Sequence, residues 1–119
     1  MNVNEKLRTR FLQDSIPVRL GGLAANLARI SSFSKHDGHQ NAVSATLQES
    51  KWFIEWTARE LDIQTANTLV RLQVQLAIWQ IQSERKWRDA KWRLELNTKS
   101  QEISRQILDM SGLLKSPDF

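Results

Sequence analysis

The sequence has no cysteine and no tyrosine, and it contains only two prolines, two histidines and four glycines among its 119 residues. The absence of cysteine excludes disulfide bonds and thiolate metal sites, and it suits a reducing compartment such as the cytosol. No glycine or proline occurs between Gly38 and Gly112, so this long segment lacks the residues that make hairpin turns between strands. Because Ala, Leu, Gln, Glu, Lys and Arg are abundant there, we expect an all-α protein.

Long apolar runs are also missing. The most apolar stretch, residues 69–82, is interrupted by Arg71 and four glutamines, whereas a membrane-spanning helix needs about 20 predominantly apolar residues. The N-terminal segment MNVNEKLRTRF has no apolar core of the kind that a secretory signal carries. The sequence therefore predicts a cytoplasmic protein without a membrane span.

Few residues could support catalysis or hold a cofactor. His36 and His39 are the only histidines and lie in one polar turn, but a stable zinc site needs three or four ligands. The glycine pair in LGGLAAN lacks the GK[ST] sequence of a phosphate-binding loop. We expect no metal, no cofactor and no enzymatic activity.

Helix-forming segments alternate with short polar turns along the chain. The predicted elements are a first helix from about residue 15 to 32, a polar turn at 34–41, a second helix to about 60, and a third helix from about 62. We expect one helical domain over residues 1–119, with residues 1–13 and 115–119 loosely ordered.

The third predicted helix is apolar on two opposite sides. At about 100° per residue, one side carries Leu72, Leu76 and Trp79, and the other carries Val70, Val74, Ala77 and Ile81. A surface helix normally has one apolar stripe, so a helix with two is expected to be covered twice, by helices of its own chain or by a second chain.

The length of this third helix is left open by the sequence. If it runs without a break from residue 62 to 111, it is about 75 Å long at 1.5 Å per residue and requires a partner to cover it. Alternatively, Asn97 and Thr98, followed by Gln101, begin a new helix that Gly112 closes.

Two tryptophans of the second helix repeat the two-sided pattern. Trp52 and Trp56 lie near the side opposite its aliphatic stripe, which consists of Val43, Leu47, Ile54, Ala58 and Leu61. These tryptophans either pack against a second helix of the same chain or form an interface between chains. The candidate interface residues are Trp52, Trp56, Leu72, Leu76 and Trp79.

A basic, tryptophan-containing helix is predicted over residues 84–96. Its candidate basic-face residues are Arg85, Arg88, Lys91 and Arg93. These cations spread around the helix, and the pairs Glu84–Arg88, Arg85–Asp89 and Lys91–Glu95 have the i,i+4 spacing of surface ion pairs. The pattern favours a solvated surface over a nucleic-acid-binding face, so nucleic acid is not the expected partner.

Arg29 and His36, separated by six residues, resemble the Arg-x4–6-His motif of the HEPN ribonucleases. That family is all-α, and the resemblance implies RNA cleavage by this pair at a dimer interface. The family usually has the motif late in the chain, whereas here it falls at the end of the first predicted helix.

The sequence as a whole favours an antiparallel bundle of three to four helices with a long third helix, completed by dimerisation. The expected function is that of a non-enzymatic interaction or assembly protein, as a homodimer or with another protein partner. A nucleic-acid-binding regulator that uses the helix 84–96 is the alternative, and an HEPN-like ribonuclease is third.

Overall fold

The computed structural model describes residues 2–114, which form five α-helices and no strand. The helices are α1 (Val3–Leu12), α2 (Ile16–Phe33), α3 (Gln40–Ala58), α4 (Ile63–Lys86) and α5 (Ala90–Ser111), with a short 3₁₀ turn at Asp37–His39 before α3. The all-α prediction is therefore confirmed. Residues 115–119, which the sequence predicts to be loosely ordered, lie outside the described range.

Helices α2 to α5 pack as antiparallel neighbours in the order α5, α2, α3, α4. The hydrogen bond from Asn26 to Glu49 joins α2 to α3, and that from Gln80 to Gln48 joins α4 to α3. Ser104 Oγ donates to the Ala24 carbonyl at 2.7 Å, so the backbones of α2 and α5 lie close together. Helices α4 and α5 are further apart, and a groove separates them along their length.

One inner stripe of each helix supplies the core. The stripes are Leu20, Leu23, Leu27 and Ile30 of α2, Val43, Leu47 and Ile54 of α3, Leu69, Leu72, Leu76 and Trp79 of α4, and Trp92, Leu96 and Ile107 of α5. These positions recur every three or four residues, as helical packing against a common centre requires. The aliphatic stripe predicted for the second helix is thus the core-facing one, with Val43, Leu47 and Ile54 fully buried.

Helix α1 forms within residues 1–13, which were predicted from the sequence to be loosely ordered. Asn2 caps it, since its side-chain oxygen accepts a hydrogen bond from the Glu5 backbone N–H at 2.8 Å. Phe11 is its one buried residue and stacks on Phe53 of α3, with ring centroids 4.1 Å apart. The helix was missed although Leu7 and Phe11 stand at i,i+4 spacing and both pack against the core, because two apolar positions in a short, mostly polar segment are a weak periodic signal.

The buried Arg19 side chain holds the connection between α1 and α2. Its Nε donates to the Asp14 carbonyl at 2.9 Å and its Nη2 donates to the Leu12 carbonyl at 3.1 Å. Its Nη1 forms an ion pair with Glu60, just after α3, at 2.6 Å. One guanidinium group therefore binds the end of α1 and the α1–α2 connection to Glu60, which is 41 residues away in the chain.

The segment predicted as one long third helix forms two helices, α4 and α5. The prediction that a single basic helix spans 84–96 is wrong, because α4 ends at Lys86 and α5 begins at Ala90. Asp89 starts the new helix: its carboxylate accepts from the backbone N–H groups of Lys91 at 2.9 Å and Trp92 at 3.4 Å. The alternative break at residues 97–98 does not occur, since α5 runs through both.

The Asp89 cap gives a direct test of this helix boundary. We expect Asp89→Ala to lower the free energy of unfolding by about 1 kcal/mol, because two N–H groups of the first turn of α5 lose their acceptor. Asp89→Asn retains a side-chain oxygen and should stay close to the wild type. Urea denaturation followed by circular dichroism compares the three proteins, and equal midpoints for Ala and wild type would contradict the capping role.

Candidate interaction surface

Helix α4 carries the most extensive exposed apolar surface of the described chain. We define its outer face as Ile63, Val70, Val74, Ala77 and Ile81. These residues are spaced by seven, four, three and four positions, which places them on one side of the helix. Ile63 is 79% exposed, and Val74 and Ile81 are each 58% exposed.

The inner side of α4 explains why this outer face is free. Leu69, Leu72, Leu76 and Trp79 pack into the core from about 180° away around the helix axis. No other helix of the described residues covers the outer side. The two-sided pattern of the sequence thus describes a helix of which one side is buried within the chain and the other side faces solvent.

Charge is almost absent around the outer face. Between residues 63 and 83, Arg71 is the only charged side chain, and most other polar positions are glutamines. Gln73 and Gln80 bond to α3, through the Lys51 carbonyl and the Gln48 side chain. Solvent-exposed helix surfaces usually carry charged residues, so their depletion here is typical of the centre of an interface.

The N-terminus of α4 is fixed by Asp62. Its carboxylate accepts hydrogen bonds from the hydroxyl of Thr65 at 2.6 Å and from the Thr65 backbone N–H at 3.1 Å. These two bonds hold the pKa of Asp62 below its ordinary value, the hydroxyl being the larger cause. The stabilisation is therefore present above the pKa of the unfolded carboxyl and is lost as the pH falls through the folded value.

Four of the five candidate interface residues lie in the core of their own chain. Leu72, Leu76 and Trp79 belong to the inner side of α4, and Trp56 is enclosed by the aromatic rings of Phe11 and Phe53. Trp52 is half-buried and stacks on Trp56, with ring centroids 6.1 Å apart. The exposed apolar residues of α4 lie on its opposite side. The sequence pattern identified that side as apolar but did not include it among the candidate interface residues.

The candidate basic-face residues surround the corner between α4 and α5. Arg85, Arg88 and Lys91 are exposed there, and the Arg93 guanidinium lies over the Trp87 ring at 5.7 Å. Trp87 itself is buried. The predicted i,i+4 ion pairs are not formed, since the one ion pair within residues 2–114 is that between Arg19 and Glu60.

Trp87 and Trp92 close this corner. Trp87 Nε1 donates to the Asp37 carbonyl at 2.6 Å, which brings the turn between α2 and α3 against the start of α5. Trp92 Nε1 donates to the Gln82 side chain at 3.1 Å, and the two indole rings meet edge to face. With both rings buried, neither presents a free face on which a nucleic-acid base could stack.

The two residues of the HEPN-like spacing have separate partners in the structure. Arg29 Nη1 donates to the Asn26 side chain at 2.7 Å, on the exposed side of α2. His36 lies beyond the end of α2, with its ring against that of His39. Within residues 2–114 there is no group of three or more residues placed to bind a metal ion.

None of the helices formed by the described residues combines the length and the apolar character needed to span a membrane. Comparison with family models, with curated proteins and with solved structures finds no match to this chain. The most distinctive feature of the molecular surface is the outer face of α4.

Proposed function

We propose that this chain is a non-enzymatic assembly protein that forms a homodimer through the outer face of α4. The observation that carries the proposal is the exposed, nearly uncharged apolar row on α4, which lies on the solvent side of a well-packed core. The large residues of the outer face, Ile63, Val70, Val74 and Ile81, together with the neighbouring Ile78, expose on the order of 500 Å². This area is at the upper end of what monomeric proteins tolerate. We expect this assembly to take place in the cytoplasm.

A second copy of the chain is the partner that fits this face. The outer face follows the alternating three- and four-residue spacing of a two-stranded coiled coil, so a two-fold axis places the row against itself. The flanking residues of α4 on one side are Ala66, Gln73 and Gln80, all uncharged, and Lys51 of α3 donates a hydrogen bond to the Gln80 side chain at 2.9 Å on that side. A standard interface buries about 800 Å² per partner. In the proposed dimer, the residues that border the outer face of α4 supply the area beyond the outer face itself.

The residue types on the row favour a parallel arrangement of the two α4 helices. In heptad terms, Asn67, Val74 and Ile81 occupy the a positions, and Ile63, Val70 and Ala77 occupy the d positions. A single Asn at an a position specifies register, because in a parallel pair Asn67 meets its own copy. In parallel helices the Arg71 side chains of the two copies lie on opposite sides of the interface, where they do not repel each other.

Light scattering at micromolar concentration tests the proposal. We expect twice the chain mass of 13.8 kDa for the wild type. Val74→Glu should give the monomer mass with unchanged helicity, because it places two carboxylates in the centre of the interface. The matched control is Leu94→Glu, which changes an equally exposed apolar residue of α5 and should remain dimeric. A monomeric wild type, or equal dissociation by both variants, would refute the proposal.

Cysteine cross-linking then measures the orientation of the two helices. Because the chain has no cysteine, each introduced thiol is unique. Val74→Cys and Ile81→Cys should both form an interchain disulfide on mild oxidation if the helices are parallel, since each a position then faces its own copy. Cross-linking of Val74→Cys alone would indicate an antiparallel pair, and Leu94→Cys serves as the unlinked control.

A further inference from the structure

A small pocket, lined by both apolar and polar residues, lies at the end of the molecule where the turn after α2 meets the first turns of α5. It has a volume of about 230 Å³. The residues that line it are Ser34, Lys35, Ala90, Arg93, Leu94 and Asn97. Two of these six residues are cations and none is acidic, so the pocket has a positive potential.

The two cations of the pocket have no counter-charge in the described chain. Neither Lys35 nor Arg93 forms an ion pair, since the single ion pair of residues 2–114 is made elsewhere. The Nε atom of Arg93 is buried and has no hydrogen-bond acceptor within the described residues. A buried, unsatisfied donor on a charged group is costly, and an anion bound near the guanidinium would offset part of that cost by balancing its charge.

The Arg93 side chain is also held in place before any ligand arrives. Its guanidinium lies over the Trp87 ring at 5.7 Å, and that indole is fixed by its hydrogen bond to the Asp37 carbonyl. A cation fixed on an aromatic face loses little side-chain entropy when it binds an anion. Arginine is the residue best suited to this task, because its planar fork matches the oxygens of phosphate.

Asn97 adds a neutral donor to the pocket. Its side-chain oxygen accepts a hydrogen bond from Ser31 Oγ at 2.6 Å, and in this orientation the NH₂ group is left to donate. The nearest capping carboxylate, that of Asp89, does not line the pocket and accepts from the backbone of α5. The polar groups that remain available are therefore dominated by donors.

We propose that this pocket binds a phosphate group, either as free phosphate or as the monoester of a small molecule. Lys35 and Arg93 supply the two positive charges and Asn97 supplies an amide donor. The volume accommodates a phosphate group and leaves space for part of an attached molecule. This site is separate from the outer face of α4, and its existence does not depend on dimerisation.

Titration with sodium phosphate, against sodium chloride at equal ionic strength, tests the site. Tryptophan fluorescence is the readout, because Trp87 lies directly beneath Arg93. We expect a saturable change for the wild type and about a tenfold weaker apparent affinity for Lys35→Gln, which loses one charge-assisted contact. Lys35 is exposed, so this substitution should leave the thermal melting temperature unchanged.

Lys91→Gln is the matched control, since Lys91 is an exposed lysine at the same end of the molecule but outside the pocket. Its phosphate affinity should equal that of the wild type. A parallel titration with adenosine monophosphate separates the two sources of the group, because tighter binding of the monoester shows that the attached molecule contributes. No phosphate effect beyond that of chloride, or equal weakening by Lys35→Gln and Lys91→Gln, would overturn the proposal.

Discussion

Leu76→Asp should remove most of the stability of this protein. Leu76 has 0% exposure and lies at the centre of the inner side of α4. An ionised carboxylate there would be buried without a partner, which costs about 3 to 5 kcal/mol. Domains of this size are stable by only about 5 to 15 kcal/mol. Urea denaturation and thermal melting, both followed by circular dichroism, measure the loss.

Val70→Asp is the matched control for this prediction. It makes the same chemical change on the same helix, but Val70 is 48% exposed and belongs to the outer face. Val70→Asp should separate the two chains of the proposed dimer but leave each chain folded, because its carboxylate stays in water. Equal melting temperatures for Leu76→Asp and the wild type would mean that the inner and outer sides of α4 are assigned the wrong way round.

The helical class and the core-facing stripes follow directly from the sequence, because both depend on local periodicity. The stripe from Leu20 to Ile30 and the separation of Leu76 from Val74 on α4 are visible in any helical projection. What periodicity does not supply is which of two apolar sides faces the core. Trp79 and Ile81 are both large and apolar, and only the tertiary arrangement of the helices decides that Trp79 is buried while Ile81 is exposed.

The helix break at Trp87–Asp89 was not predicted, although a signal was present. The charged, helix-favouring composition of residues 84–96 continues across the break, so propensity gives no reason to stop there. Asp89 is nevertheless a good N-cap residue, and it precedes Trp92, which anchors the new helix in the core. Tertiary burial of the two indoles at the corner offsets the loss of helical hydrogen bonds, and such a contact between distant residues cannot be seen in a local pattern.

The pocket of Lys35 and Arg93 lies beyond sequence reasoning for the same reason. The two cations are far apart in the chain, and they meet because α2 packs antiparallel to α5, with Ser31 bonded to Asn97 beside the pocket. In the sequence, Arg93 is one of four candidate basic-face residues of a predicted helix over residues 84–96. In the structure, this segment is divided between α4 and α5. Its environment distinguishes it from the exposed Arg88 and Lys91, and that environment is created by the fold.

Trp56→Ala should lower the free energy of unfolding by about 3 to 5 kcal/mol, the usual cost of deleting a large aromatic side chain from a core. Trp56 is 8% exposed and lies 5.8 Å from the Phe11 ring and 6.1 Å from the Phe53 ring. Because Phe11 is the one buried residue of α1, the cavity left by Trp56→Ala removes the support on which that helix docks. Chemical denaturation measures the total loss, and hydrogen exchange of the α1 amides should rise before that of α2.

Trp52→Ala separates the two interpretations of this tryptophan pair. Trp52 is only half-buried and stacks on the outer side of Trp56, so its loss should cost clearly less stability than the loss of Trp56. If the pair instead formed the interface between chains, both variants would keep the stability of the monomer and both would halve the mass in solution. We expect the opposite result. Trp56→Ala should weaken the fold, because the aromatic cluster is enclosed by α1. Dimer formation should continue to depend on Val74, because no described helix covers the outer face of α4.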